Sequence, residues 1–154
     1  MPSYRLTLSY DGTAFAGSQI QPGQRTVQGE LESALRRLGG REFRTTFAGR
    51  TDRGVHAFGQ VVMVNVPEWR ATAGDLERAL GARLPGDVAA RQVADSDPAF
   101  NPRFDAVWRE YRYWIVRGLA SPFLGRYAWL LRDGADAARM NEAASILLGT
   151  HDFA

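Results

Sequence analysis

The sequence predicts an α+β fold built on an antiparallel sheet, on three observations. Period-two alternation marks residues 4–10, and a valine-rich run marks 58–66. Apolar stripes at helical spacing occupy 27–38 and 76–80, each with a capping residue in front. The two kinds of segment follow one another through residues 1–95 as strand, helix, strand, strand, helix, strand.

Each element has its own justification. Tyr4, Leu6, Leu8 and Tyr10 alternate with Arg5, Thr7 and Ser9, which gives a strand over 4–10 with one buried face. A turn at Asp11-Gly12 and a loop rich in glycine, proline and glutamine follow. Val27, Leu31, Ala34, Leu35 and Leu38 then recur at helical spacing, with Thr26 as N-cap and Gly39 as the stop. Residues 43–48 and 58–66 read as strands, the second carrying Val61, Val62, Val64 and Val66 and ending at Pro67. Thr72, three residues ahead of Asp75, caps a helix with Leu76, Ala79, Leu80 and Arg83, which Leu84-Pro85-Gly86-Asp87 stops. A strand over 88–93 completes a split βαβ, ferredoxin-like arrangement. Further on, 107–116 reads as a long strand with large rings on both faces, expected at the centre of a larger sheet. Asp136 caps an alanine-rich helix bearing Met140, Ala143, Ala144, Leu147 and Leu148, closed by Gly149. The expected division is a domain over 1–104 and the beginning of a second α+β domain over 105–154.

Composition excludes several classes. At 154 residues, 45% hydrophobic and 23% charged, the chain belongs with globular proteins and can bury a core. No apolar run approaches the ~18 residues of a membrane span, and the N-terminus has no signal-like stretch, so no membrane is expected and the cytoplasm is the expected location. The absence of cysteine removes disulfides, thiolate zinc sites and cysteine nucleophiles, and the two histidines lie far apart, so no metal is expected. A net charge of +2 does not announce a nucleic-acid partner, but all 19 basic residues are arginine, which pairs with phosphate bidentately and stacks on bases. The same bias also fits a GC-rich genome or a heat-adapted source.

The most informative segment is Gly49-Arg50-Thr51-Asp52-Arg53-Gly54-Val55-His56, between the two central strands. It places one carboxylate, Asp52, between two arginines in a glycine-bounded turn. Glycines let a substrate come near the main chain, arginines hold phosphates, and a cation beside Asp52 favours the ionised form a nucleophile requires. By spacing alone the segment fits an ordinary connecting loop with a salt bridge better than a catalytic one.

Ala48-Gly49-Arg50-Thr51-Asp52-Arg53-Gly54-Val55-His56-Ala57 resembles the signature segment of TruA-type tRNA pseudouridine synthases. Tyr10-Asp11-Gly12-Thr13, Arg25-Thr26-Val27-Gln28-Gly29-Glu30-Leu31, Gly59-Gln60-Val61-Val62, Leu84-Pro85-Gly86-Asp87 and Tyr111-Arg112-Tyr113 stand in that family's order, from Tyr4 to Phe153. The resemblance implies the pseudouridine synthase fold and isomerisation of uridine to pseudouridine in the tRNA anticodon stem-loop, at positions 38 to 40. It implies no cofactor and no metal, tRNA as partner, and a homodimer. Asp52 takes the place of the essential aspartate, attacking sugar or base or assisting elimination. Arg50 pairs with Asp52 or with the target phosphate, and Tyr111 stacks on the flipped uracil. Arg53 is a further phosphate contact; Arg83, Arg103 and Arg109 read as RNA contacts or equally as surface charges.

Read without the resemblance, Tyr111 is also a core ring of a central strand, and His56 is assigned a structural role. Ser18 stands where the family often has tryptophan, and Gly81 where asparagine is common; both departures are expected to weaken RNA contacts. The family continues past Ala154 into a half that carries the aspartate's basic partner, so the chain is expected to be truncated, with an incomplete site. Two other readings stay open, a non-catalytic RNA-binding module and an inactive fragment of such a synthase. The first is disfavoured because Phe58-Gly59-Gln60-Val61-Val62-Met63 lacks the aromatic third-strand run of RNA-recognition-motif domains.

Overall fold

Strand β1 (Ser3–Tyr10) shows why the first elements form: Tyr4, Leu6, Leu8 and Tyr10 are buried, whereas Arg5 is exposed and Thr7 and Ser9 half-buried. The computed structural model describes residues 2–66, 72–118, 122–132 and 134–152. Two compact units divide the chain, Met1–Arg109 and Glu110–Ala154.

In the first unit β1 is followed by α1 (Val27–Gly39), β2 (Thr45–Phe47), β3 (Ala57–Asn65), α2 (Ala73–Gly81) and β4 (Val88–Asp95). The sheet order is β2-β3-β1-β4, with every pair antiparallel, the ferredoxin-like arrangement that the sequence predicts. β1 lies between β3 and β4, its Leu6 opposite Val62 and its Leu8 opposite Ala90. One face of this sheet shares a core with Val27, Leu31, Ala34 and Leu35 of α1 and Leu76 and Leu80 of α2. Each fully buried leucine contributes roughly 1.5–3 kcal/mol.

The ends of the elements adjust the sequence reading. Thr26 Oγ1 accepts from Gly29 N at 3.2 Å and caps α1 as expected. Gly40, not Gly39, takes the left-handed conformation that ends it, with φ of 69°. Gly39 stays helical, and a Cβ there would lie 2.4 Å from the Phe43 ring, so its role is to admit that ring into the core. β2 is shorter than 43–48; Pro67, the expected end of β3, lies outside the described residues. β1 and β4 shift register between Arg5 and Thr7, where Gln92 adopts a φ of 53°.

At the start of α2, Thr72 and Asp75 form a reciprocal capping box. Hydrogen bonds from the Thr72 side chain and backbone, and more weakly the charge of Arg78, hold the Asp75 carboxyl below its usual value. A lowered carboxyl stabilises the fold above the ordinary range of about pH 4, and that contribution is lost as pH falls through the lowered value. Thr72→Ala should cost about 1 kcal/mol in urea unfolding at neutral pH, and the difference from wild type should shrink in acid. A difference that stays constant between pH 7 and pH 2 would rule the coupling out.

The second unit corrects two expectations. Residues 107–114 form no strand; only β5 (Ile115–Arg117) does, paired in parallel with β6 (Trp129–Leu131). A strand requires a partner strand to receive its ladder bonds; among the described residues 107–113 pair with none, and Trp114 O accepts a single bond, from Trp129 N at 2.8 Å, where β6 begins. The rings there are solvent-facing, Trp108 at 73% and Tyr113 at 92% exposure. The last helix, α3 (Ala137–Ser145), is capped by Asp136 as expected but stops before Leu147 and Leu148. Its final bonds, Ile146 N to Ala143 O and Leu147 N to Ala144 O, tighten to three-residue spacing, and no residue of α3 is buried.

Candidate active site

The loop from Ala48 to His56 joins β2 to β3 at one end of the sheet, continuing from Phe47 opposite Val62. Four separate attachments hold it. Gln60 clamps Gly49 with its amide, its Oε1 accepting from Gly49 N at 3.2 Å and its Nε2 donating to Gly49 O at 2.8 Å. Ser18 grips Thr51 from both sides, its N donating to Thr51 O at 2.9 Å and its Oγ accepting from Thr51 N at 2.8 Å. The Tyr10 hydroxyl lies 2.8 Å from Thr51 Oγ1. Finally, Gly12 N donates to His56 Nδ1 at 3.1 Å.

Glycine is required at position 12 for a packing reason, because a Cβ there would sit 2.0 Å from the Val55 carbonyl oxygen. The three-residue 3-10 turn Gly12–Ala14 thus lies directly against the far side of the loop. The turn is capped by Asp11, whose Oδ1 accepts from Thr13 N at 3.0 Å and lies 3.2 Å from His56 Nδ1. This geometry agrees with a structural role for His56.

Within the frame the loop closes on itself, Val55 N donating to Asp52 O at 3.2 Å, and Gly54 adopts a φ of 81°. The Asp52 side chain is exposed, and among the described residues its carboxylate accepts no hydrogen bond and pairs with no cation. Arg50 and Arg53 are exposed too and engage no carboxylate among the described residues, so the salt bridge that the Arg-Thr-Asp-Arg spacing allows is not formed. The carboxylate and both guanidinium groups therefore remain available to a ligand. Arg53 also lines a shallow cavity of about 190 Å³, with Thr13, Phe15, Gln24 and Arg25 on its wall.

Not every arginine near the loop is available. The Arg25 guanidinium makes a two-pronged pair with Asp87 at 2.7 and 3.0 Å, reaches Glu30 at 2.7 Å, and lies 4.2 Å over the Phe15 ring. The Asp87 hydrogen bond, with Glu30 adding to it, raises its pKa further above the usual arginine range. Arg109 Nη2 donates to Ala48 O at 2.8 Å and Arg103 O at 2.9 Å, which clips the start of the loop to the 101–105 turn. Arg103 keeps its guanidinium at the surface, 5.7 Å from the Phe104 ring centre. Tyr111 belongs to the second unit, 68% exposed and outside any element.

Ser18, Gln60, Tyr10 and Gly12 were not singled out as supports by sequence reading. The signal was present only in part: buried polar groups far from any helix cap are expected to have partners, but sequence does not say which. Among the described residues no group of three or more metal-ligating side chains comes together, and no helix is long and apolar enough to cross a membrane.

Residues 7–105, which include the whole loop and its supports, match the family model described as tRNA pseudouridine synthase. The chain is 45% identical to tRNA pseudouridine synthase A of Thermosipho africanus, over 99% of this chain and 63% of that protein. The protein of the same name from Solidesulfovibrio magneticus is 49% identical over 100% of this chain and 58% of its own length. In Thermotoga maritima the identity is 43%, over 99% and 63%. The chain thus spans about three fifths of the length of the curated relatives it matches.

Proposed function

Because the chain belongs to the tRNA pseudouridine synthase family, we propose that it is the part of an isomerase that converts uridine to pseudouridine in tRNA, with Asp52 as the catalytic carboxylate. The single observation that carries this reading is the state of Asp52. A carboxylate with no partner among the described residues projects from a loop held through the backbone of Gly49 and Thr51 and through the His56 ring. An exposed carboxylate is common on any surface; what sets this one apart is the braced loop that carries it, inside the segment matched by the family model.

The reaction breaks the bond between ribose C1′ and uracil N1, turns the base, and joins C1′ to C5; C5 gives up its proton and N1 takes one up, so the product is an isomer of the substrate. Asp52 serves by attack on sugar or base, or by assisting the elimination at the ribose. Arg50 and Arg53, which engage no carboxylate among the described residues, suit the phosphates beside the target nucleotide. Tyr111 supplies a stacking face for the extruded uracil, and its open exposure leaves the ring available for this. Arg103 and Arg109 are further phosphate contacts; Arg109 makes its contact with a guanidinium already oriented by Ala48 and Arg103. The target is proposed to be the anticodon stem-loop at positions 38 to 40, read by a homodimer in which phosphate contacts dominate affinity.

Tritium release from tRNA labelled at uracil C5 tests the reading, measured on a chain of the relatives' full length that carries this segment. Release together with pseudouridine in the digested product is expected; tRNA binding without release would point to an RNA-binding module instead. The same assay tests Tyr111. Tyr111→Phe keeps the ring and should lose less than tenfold in rate, whereas Tyr111→Leu removes the platform, about 1–3 kcal/mol of stacking, and should lose more. Equal, wild-type rates for both variants would remove Tyr111 from the site.

A further inference from the structure

We propose that Ser18 is a positioning residue for Asp52, acting through the Thr51 peptide; the proposal rests on the catalytic reading of Asp52. Ser18 is 1% exposed, and its three polar groups all have backbone partners. Its Oγ accepts from Thr51 N at 2.8 Å, its N donates to Thr51 O at 2.9 Å, and its O accepts from Gln28 N, in the first turn of α1, at 2.9 Å. Ser18 therefore joins the N-terminal turn of the main helix to the residue that precedes Asp52.

This link matters because among the described residues no group supports the Asp52 side chain. With no group holding its carboxylate, the direction of that side chain is decided by the backbone that carries it, and the Thr51 carbonyl belongs to the peptide shared with Asp52. Two further features concentrate at the same point. Gly17 has a φ of 130°, and a Cβ there would lie 3.0 Å from Thr51 O, so the 17–18 backbone comes this close only with glycine at 17. Tyr10 holds the Thr51 side chain at 2.8 Å, which fixes its rotation about the chain. Among the described residues only the Ser18 hydroxyl accepts the Thr51 N–H, and removing it leaves a donor without an acceptor, a condition that a loop relieves by turning the peptide. The peptide that turns joins Arg50 to Thr51, and its rotation is passed through the Thr51 backbone to Asp52, the next residue, while the exposed Arg53 keeps its guanidinium at the surface to meet phosphate.

The expected signature is a loss in kcat without a loss in tRNA affinity. In the full-length protein, Ser18→Ala should lower kcat on the order of tenfold to a hundredfold, the scale that a misplacement of about 1 Å produces. KM and tRNA binding should stay within about twofold, because phosphate contacts carry them. Ser18→Cys keeps the bulk with a weaker acceptor and should fall between the two. Thermal unfolding of each variant shows whether it is folded when assayed, and Ser18→Cys decides the matter if Ser18→Ala does not fold. Wild-type kcat in the folded variant overturns the proposal, and so does a higher KM at unchanged kcat, which would make Ser18 a binding determinant. Asp52→Asn run in parallel separates the two ideas: activity retained there overturns the catalytic reading itself, and this proposal with it.

Discussion

Asp52→Asn is expected to lower pseudouridine formation at least a thousandfold in a chain of the relatives' full length, while tRNA binding survives. A thousandfold corresponds to about 4 kcal/mol of transition-state stabilisation. The substitution keeps shape and volume and removes only the carboxylate charge. No hydrogen bond or ion pair among the described residues depends on that carboxylate. Folding therefore has nothing to lose, and the variant should unfold at the wild-type midpoint. Affinity has little to lose either, since contacts to phosphates, from groups such as Arg50 and Arg53, dominate it. Tritium release, filter binding and thermal unfolding on the same preparations check all three parts. Residual turnover within tenfold of wild type would remove Asp52 from the chemistry.

Gly12→Ala carries the second large effect, and its mechanism differs. The added Cβ would lie 2.0 Å from the carbonyl oxygen and 2.5 Å from the carbonyl carbon of Val55, both main-chain atoms. No rotamer change relieves such an overlap; the 12–14 turn or the Asp52 loop has to move. Overpacking of this kind costs roughly 1–3 kcal/mol in stability, and separation of turn and loop also weakens the bond from Gly12 N to His56 Nδ1. Displacing the loop by about 1 Å should lower kcat on the order of a hundredfold. The expected result is a destabilised but folded protein with a much larger loss in turnover than in stability. A variant with wild-type turnover would show that the Asp52 loop does not rely on the Gly12 contact.

Local chemistry explains how much of this was legible beforehand. Tyr4, Leu6, Leu8 and Tyr10 reveal a strand because burial on one face of a sheet imposes a period of two, whatever lies around it. Thr26, Thr72 and Asp136 reveal helix starts because a cap bonds to the backbone two or three residues onward. The signature around Asp52 was equally visible, since its residues are contiguous. Residues 107–116 misled for the converse reason: alternating rings describe what a strand would bury, not whether a neighbour exists to bury it.

For the first unit the sequence by itself determined the order of elements and the antiparallel βαββαβ arrangement, and with it the family and the loop on which the candidate carboxylate stands. Each of these is written in residues within a few positions of one another, where backbone geometry sets the spacing. Only the tertiary structure decided what holds that loop. Ser18 reaches Thr51 across 33 positions, Tyr10 across 41, and Gly12 reaches His56 across 44. It also decided that Asp52, Arg50 and Arg53 have no partner among the described residues while Arg25 is bound to Asp87 across 62 positions. Such contacts carry no periodic trace in the chain, because they exist only after the sheet order has brought the 10–18 segment and the β2–β3 loop to the same end of the fold.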